Sequence, residues 1–317
     1  MATVSVLINT YNYSSFLVEA IESALAQSQL PGEIIVVDDG STDNTPALLQ
    51  ERYGSHACVK IVRQRNGGQL AAFVTGIEHA SGDLIFFLDA DDKYEPTHIE
   101  SVTRSFCDHK DVSFVFTAHR LFGNLEGVVR YLPESLNLGF SMIAALKGRI
   151  FIGSVTSTLA IRRNLALALL PAMRQAAPLW RIRADDCLVY GASLAGARKY
   201  FLSDPTVLYR VHGDNGLFGR EYAPSEHLIH GFRRDTFTEI LCRHVGLGPS
   251  VRLQVVPEFL SIERPTRAHL REYIWLNRQC QPSAWKRLKG RVRMHLHYRR
   301  NHIAWPGDKH FDFRHHG

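Results

Sequence analysis

Gly82-Asp-Leu-Ile-Phe-Phe-Leu-Asp-Ala-Asp-Asp92 runs from five large apolar residues straight into a cluster of three carboxylates. The apolar part has the length and composition of a strand covered on both faces. Three crowded carboxylates repel one another and serve no core purpose. They make either a solvated acidic turn or a seat for a divalent cation, which would relieve the repulsion, and their position directly after a buried strand favours the cation.

The same grammar extends outward. Val4–Ile8, Glu33–Val37, Val59–Val62 and Val112–Phe116 are short, mostly apolar runs. Helical signals separate them. Leu17, Ile21, Ala24 and Leu25 share a face behind Ser14 or Ser15 as N-cap, Ile99, Val102 and Phe106 repeat the spacing, and Pro46 and Pro96 suit first helical turns. Strands alternating with helices predict an α/β fold with an open, mainly parallel, doubly wound sheet. Further on the sequence predicts a hairpin near 121–132, an apolar segment at 152–161, a helix around 181–195 and a strand around 199–209. Beyond 220 it reads as helical.

In such a sheet, ligands bind beyond the carboxyl ends of the strands. The first turn, Asn9-Thr-Tyr-Asn-Tyr13, contains no glycine, which argues against the pyrophosphate-cradling turn of a NAD or FAD fold. The second strand ends in Asp38-Asp-Gly-Ser-Thr-Asp43, whose residues suit a turn and a binding site equally.

Four segments in register, Val4–Asn12, Val36–Asp43, Asn66-Gly-Gly-Gln69 with Gly76, and Gly82–Asp92, resemble the successive signatures of the family 2 glycosyltransferases over roughly residues 3–215. The resemblance implies the GT-A nucleotide-diphospho-sugar transferase fold and an inverting reaction. It assigns Asp39 or Asp38 to the donor's base with Thr10, Tyr11 and Asn12 nearby, and Gly68, Gln69, Asp89 and Ala90 to the nucleotide-sugar. It makes Asp89 and Asp91 an Asp-x-Asp pair meeting Mn²⁺ or Mg²⁺ and diphosphate, with Asp92 a further metal ligand. It also implies an acidic catalytic base at the start of a later helix, where Arg183-Ala-Asp185-Asp186-Cys-Leu188 stands. Leu188 favours Asp185 over Asp186, and one of the two suits a helix cap. Tyr209-Arg-Val-His212-Gly-Asp-Asn215 resembles the family's closing segment, expected to follow the last strand, with His212 on the metal and Arg210 on phosphate. Many relatives carry Pro, Arg and Asn where Asn9, Phe73 and Val74 stand, and position 73 touches the base in some of them. Processive polysaccharide synthases carry a Gln-x-x-Arg-Trp segment that is absent here, so single-sugar addition is the expectation, in cell-surface polysaccharide or glycolipid assembly. A sugar-nucleotide pyrophosphorylase would need a Gly-rich basic first loop, and a non-catalytic scaffold would be expected to have lost Asp91 or the 185–186 pair.

The 317 residues divide into an expected catalytic domain at 1–217, with a donor half to about 118 and an acceptor half from 119, and a helical basic extension at 218–317. Five cysteines, no two close together, suggest neither a disulfide framework nor a zinc site. The formal charge of +6 is concentrated at the end: residues 284–317 carry nine Lys or Arg against Asp308 and Asp312, and the remainder has 28 basic and 29 acidic residues. Trp285, Leu288, Val292, Leu296 and Ile303 form a helical stripe among these cations, either for packing on the catalytic domain or for an anionic membrane surface. Nucleic acid ranks last as a partner, because the acidic strand ends repel a polyanion. The expected donor is a UDP-sugar and the expected acceptor a carbohydrate or lipid-linked molecule. With neither an apolar run of membrane-spanning length nor a signal-peptide pattern at the start, the expected location is cytoplasmic, peripheral on the inner face of the membrane.

Overall fold

The computed structural model describes residues 2–213 and 223–303. The strands are β1 (Val4–Thr10), β2 (Glu33–Asp38), β3 (Val59–Arg63), β4 (Leu84–Asp89), β5 (Lys93–Tyr94), β6 (Val112–Gly123), β7 (Gly127–Val129), β8 (Leu136–Gly139), β9 (Leu159–Arg162) and β10 (Arg198–Val211). The helices are α1 (Leu17–Leu25), α2 (Thr45–Tyr53), α3 (Gln69–His79), α4 (His98–Asp108), α5 (Met142–Gly148), α6 (Arg163–Ala176), α7 (Ala184–Leu194), α8 (Pro224–His244), α9 (Val255–Leu260), α10 (Arg267–Cys280) and α11 (Ala284–Asn301).

The sheet runs β3-β2-β1-β4-β9-β6-β10-β5, with β7 on β6 and β8 on β10. The pairs around β1 and β2 and the pair β6–β10 are parallel, and β9 is antiparallel to both β4 and β6. Side chains alternate across the strands, and the alternation divides the interior into two cores. Leu7, Ile35, Val37, Ile85 and Phe87 face α3, α6 and α7, whereas Val6, Ile8, Ile34, Val36, Phe86 and Leu88 face α1, α2 and α4. The expected hairpin is β6–β7.

Three local expectations are corrected. Phe16, not Ser14 or Ser15, occupies the N-cap of α1; the Tyr13 carbonyl accepts from Phe16 N and Leu17 N, and Ser14 N instead donates to Asp43. Pro96 lies just ahead of α4, whose N-cap is Thr97, while Pro46 does sit in the first turn of α2. Tyr209 and Arg210 do not follow the last strand but lie within it, and His212 comes directly after. Asn215 lies outside the described residues, as do the boundary expected at 217 and the tail from 304 with its Lys309 and Arg314.

The C-terminal helices share the core on the α3 face, to which Val255, Phe259, Tyr273, Leu276, Met294 and Ile303 all belong. Glu258 makes a second tie. Its carboxylate accepts from Ile143 N (2.7 Å) and Ala144 N (2.9 Å) at the start of α5, and from the Tyr273 hydroxyl (2.8 Å). Burial pushes its pKa up, and the three donors oppose that shift. Among the described residues no helix is long and apolar enough to cross a membrane.

Candidate active site

The register of the central strands brings the acidic residues together. Thr10 pairs with Asp38 across β1–β2, and Asn9 with Asp89 across β1–β4, so three strands end side by side. Above them opens a cavity of about 900 Å³, whose walls include Thr10, Tyr11, Asp39, Asp89, Asp91 and Asp185. Gly68, Gln69 and Ala90 also line it. The structure thus gathers most of the sequence-predicted site into one hollow.

Two glycines allow this closeness. Gly40 has φ +76°, and a Cβ on it would come within 2.8 Å of Asn66 N. Gly68 has φ +90°, and a Cβ there would meet Arg181 Cα at 2.5 Å. A side chain at Gly68 would therefore push away the segment leading into α7. Asp39 ties the same loop down by accepting from Gly67 N (2.8 Å) and Gly68 N (2.7 Å). Gln69 then links the two sides of the cavity: its Nε2 donates to Asp89 Oδ1 (3.2 Å), and its Oε1 accepts from Ala184 N (3.0 Å) at the start of α7. The Arg181 side chain donates to Asn66 across the same seam.

Each acidic pair splits into a residue at the cavity and a residue used by the scaffold. Asp39 lines the cavity; Asp38 is buried, accepting from Ser41 N (2.8 Å) with Arg63 Nε 3.3 Å away. Asp91 lines the cavity; both oxygens of Asp92 are taken, by Ser157 Oγ (2.5 Å) and Arg210 N (2.8 Å). Asp185 lines the cavity; Asp186 is 7% exposed and pairs with Arg183 Nε at 3.3 Å. Asp38, Asp92 and Asp186 thus stand behind the wall rather than in it; Asp39, in the wall, also accepts from protein donors, Gln64 Nε2 (2.7 Å) as well as Gly67 N and Gly68 N.

Arg210 does not line the cavity. Its guanidinium lies over the rings of Phe16 (4.8 Å) and Phe122 (4.4 Å) and donates to Glu19 Oε2 (3.0 Å) and the Asp91 carbonyl (2.8 Å), away from the cavity wall. Asn12, expected at the nucleotide, instead shapes the turn: at φ +59° its Oδ1 accepts from Thr42 N at 2.8 Å. Phe73 is fully buried against Phe87, ring centres 5.1 Å apart, and Ala72 lines the cavity in its stead.

The electrostatics follow from crowding without a cation. Burial, followed by the charges of Asp91 and Asp185, pushes Asp89 up to about 8. Burial raises Asp185 as well, with Arg183 opposing. His212 Nε2 lies 3.1 Å from Asp91 Oδ2, so one carboxylate and one imidazole stand together at the edge of the cluster. The carboxylate oxygen is a donor of the kind Mn²⁺ and Mg²⁺ take, whereas an imidazole nitrogen is not the oxygen ligand that Mg²⁺ prefers. Among the described residues no three His, Cys, Asp or Glu side chains converge as a complete metal cage, so a cation here would need ligand oxygens to fill its shell.

Sequence reasoning missed much of the far wall. His119 on β6, Tyr131, Phe151 and the stretch Gly153–Thr156 line it. His119 is buried, which drives its pKa down to about 4 and leaves the imidazole neutral, and its Nδ1 has no hydrogen-bond partner. These are single residues from separate elements, and no local pattern marks them. Asn9 Oδ1 and Thr10 Oγ1 are likewise buried polar atoms without partners beside the cavity, as expected of groups that await a ligand.

Comparison with known proteins agrees with this geometry. Residues 5–168 match the glycosyl transferase family 2 model. An uncharacterized glycosyltransferase of Nostoc sp. is 32% identical over 227 residues, covering 70% of this chain and 69% of that protein. The chondroitin synthase of Escherichia coli is 38% identical over 117 residues, which is 37% of this chain but only 17% of the synthase. The S. aureus TarS fragment 1-349 solved in complex with UDP-GlcNAc superimposes with a TM-score of 0.54 at 19% identity, covering 94% of this chain and 89% of that one, a likeness of fold. With the motifs of the first 92 residues lying inside the matched region and converging on one cavity, this chain belongs to glycosyl transferase family 2.

Proposed function

We propose that the protein is an inverting, metal-dependent glycosyltransferase that moves one sugar from a UDP-sugar to an acceptor hydroxyl. The observation that carries this reading is the presence of Asp39, Asp91 and Asp185 in the wall of one cavity, with Gln69 bridging its two sides. The base of the nucleotide would lie by Thr10, Tyr11 and Asp39, and the diphosphate by Asp89 and Asp91. S. aureus TarS, of the same fold, was solved with UDP-GlcNAc, which favours a UDP-sugar here.

Asp91 and His212 would hold the cation, whose positive charge would offset that of the departing diphosphate. Asp185 takes the proton of the acceptor hydroxyl as its oxygen attacks the anomeric carbon. The bond from that carbon to the diphosphate oxygen breaks in the same displacement, and the nucleoside diphosphate leaves with the electron pair. Burial raises Asp185 and pushes Asp186 up to about 7, so proton affinity does not separate them; the place of Asp185 in the cavity wall is what favours it as base. Asp186, paired with Arg183, orients the start of α7. The far wall, with His119, Tyr131 and Phe151, would receive the acceptor, a carbohydrate or lipid-linked molecule of cell-surface polysaccharide or glycolipid assembly.

A panel of nucleotide-sugars tested by thermal shift with and without Mn²⁺ checks the reading. UDP-sugars are expected to stabilise the protein by ~2–4 kcal/mol at large excess, and only with the metal. Stabilisation that is equal without metal, or confined to another nucleotide, would contradict it.

A further inference from the structure

Helix α11 carries seven Lys or Arg and no acidic residue along its 18 positions. Its orientation is fixed by its inner face. Met294 and Gly290 are buried, and a Cβ on Gly290 would meet Asn277 Oδ1 at 2.7 Å. The Arg287 carbonyl accepts from Asn277 Nδ2 (2.9 Å), Arg287 Nε donates to the Gln281 carbonyl (2.9 Å), and His297 Nε2 meets the Ile262 carbonyl (2.8 Å). Ile303 is buried too, so it is not part of the stripe expected from the sequence.

The outer face is left with Trp285, Leu288, Val292 and Leu296, which are 71%, 54%, 50% and 48% exposed. Their spacing keeps them on one side of the helix, opposite Met294, and at 100° per residue Lys289, Arg293 and Arg300 fall along one border of the stripe and Arg291 along the other. The stripe therefore does not pack on the catalytic domain.

We propose that this face lies on an anionic membrane surface, with the apolar stripe entering the interface and the flanking cations meeting lipid phosphates. Charge complementarity selects that occupant. A second copy would bring like charges against like charges along the borders of the stripe, and a soluble polyanion would have no use for Trp285, Leu288 and Val292. The surface stands apart from the sugar-transfer chemistry, so it can be tested without a known acceptor.

The test is co-sedimentation of the full chain with phosphatidylcholine vesicles, either pure or with one third phosphatidylglycerol, at low and high salt. Wild type is expected to bind the anionic vesicles, to ignore the neutral ones and to come off in high salt. The L288S/V292S and K289E/R293E variants, all at exposed positions, should keep the wild-type thermal midpoint, and each should lose about tenfold or more in partition. If L288S/V292S binds as well as wild type, the stripe does not enter the interface; if it does so while soluble heparin competes the protein off, the face is a polyanion site. Equal binding to neutral vesicles, or none to either, would also overturn the proposal.

Discussion

The two sides of the cavity, assigned to donor and acceptor in the proposed function, are built in different ways. On the donor side the chemistry sits on the chain segments that leave β1, β2 and β4, so Thr10, Asp39 and Asp91 are held by parallel strands whose side chains are buried on both faces. On the acceptor side the wall is assembled from β6, the stretch 151–156, the segment 181–185 and β10, and it is braced by helices from the end of the chain. The sheet thus fixes Thr10, Asp39 and Asp91 through backbone pairing, whereas side-chain ties hold the other side: Gln69 joins it to Asp89, and Glu258 joins α9 and α10 to the start of α5 behind it. Substitutions on the two sides should therefore fail in different ways.

The largest effect is expected on the donor side. Asp91→Asn should weaken nucleoside diphosphate binding in Mn²⁺ by about 100-fold or more, some 2.7 kcal/mol, and leave the unfolding transition in place. Calorimetric titration with UDP reads this directly, and unchanged affinity would remove Asp91 from the metal site.

A comparable loss, of stability instead, is expected from Glu258→Ala. It strands three buried donors and should cost about 3 kcal/mol. Urea unfolding measures it, and Glu258→Gln should recover part of the loss. If UDP affinity fell in proportion to stability, the two sides would be one mechanical unit and the contrast between them would be wrong.

Gln69→Ala should lower turnover about tenfold or more by letting the start of α7 drift from the donor, with UDP affinity nearly unchanged. Steady-state kinetics set beside the titration would show this split; a loss confined to UDP affinity would make Gln69 a donor ligand only.

Smaller and spread over both sides is the response to acid. Burial depresses His98 and His269 to about 3 and His119 to about 4. Each has a folded pKa below the unfolded value of about 6.5, so its contribution to stability is present above that value and is lost as pH falls. The slope is at most about 1.4 kcal/mol per pH unit for each group. His269 accepts the Thr266 N–H on Nδ1 in the N-terminal cap of α10, an arrangement that needs the neutral ring. Asp89, pushed up to about 8, and Asp186, pushed up to about 7, contribute with the opposite sign, so the rings are read by difference: between pH 6.5 and 5 wild type should lose stability relative to His269→Asn as pH falls. Parallel profiles for wild type and His269→Asn would contradict the assignment of a neutral buried ring at position 269.

The same contrast explains what was legible in the sequence. The strand-end side of the cavity could be read because Val36–Asp43 and Gly82–Asp92 each carry a strand and the carboxylates that follow it in one stretch. Which aspartate of a pair lines the cavity could not be read there, since Arg63 and Ser157, which meet Asp38 and Asp92, stand elsewhere in the sequence. The surroundings of Arg210 were hidden for the same reason: its aromatic partners Phe16 and Phe122 appear only in the fold. Antiparallel β9, which lets β6 sit beyond β4, falls in an apolar segment too short to reveal its direction.

The central claim is that Asp185 is the base while Asp186 serves the scaffold. Turnover and UDP-sugar affinity measured side by side for Asp185→Asn and Asp186→Asn test it most directly. The account expects Asp185→Asn to lose about 10²–10⁴-fold in kcat with donor affinity intact, and Asp186→Asn to lose far less. If Asp186→Asn abolishes turnover while Asp185→Asn stays near wild type, the assignment is reversed and the cavity geometry has been misread.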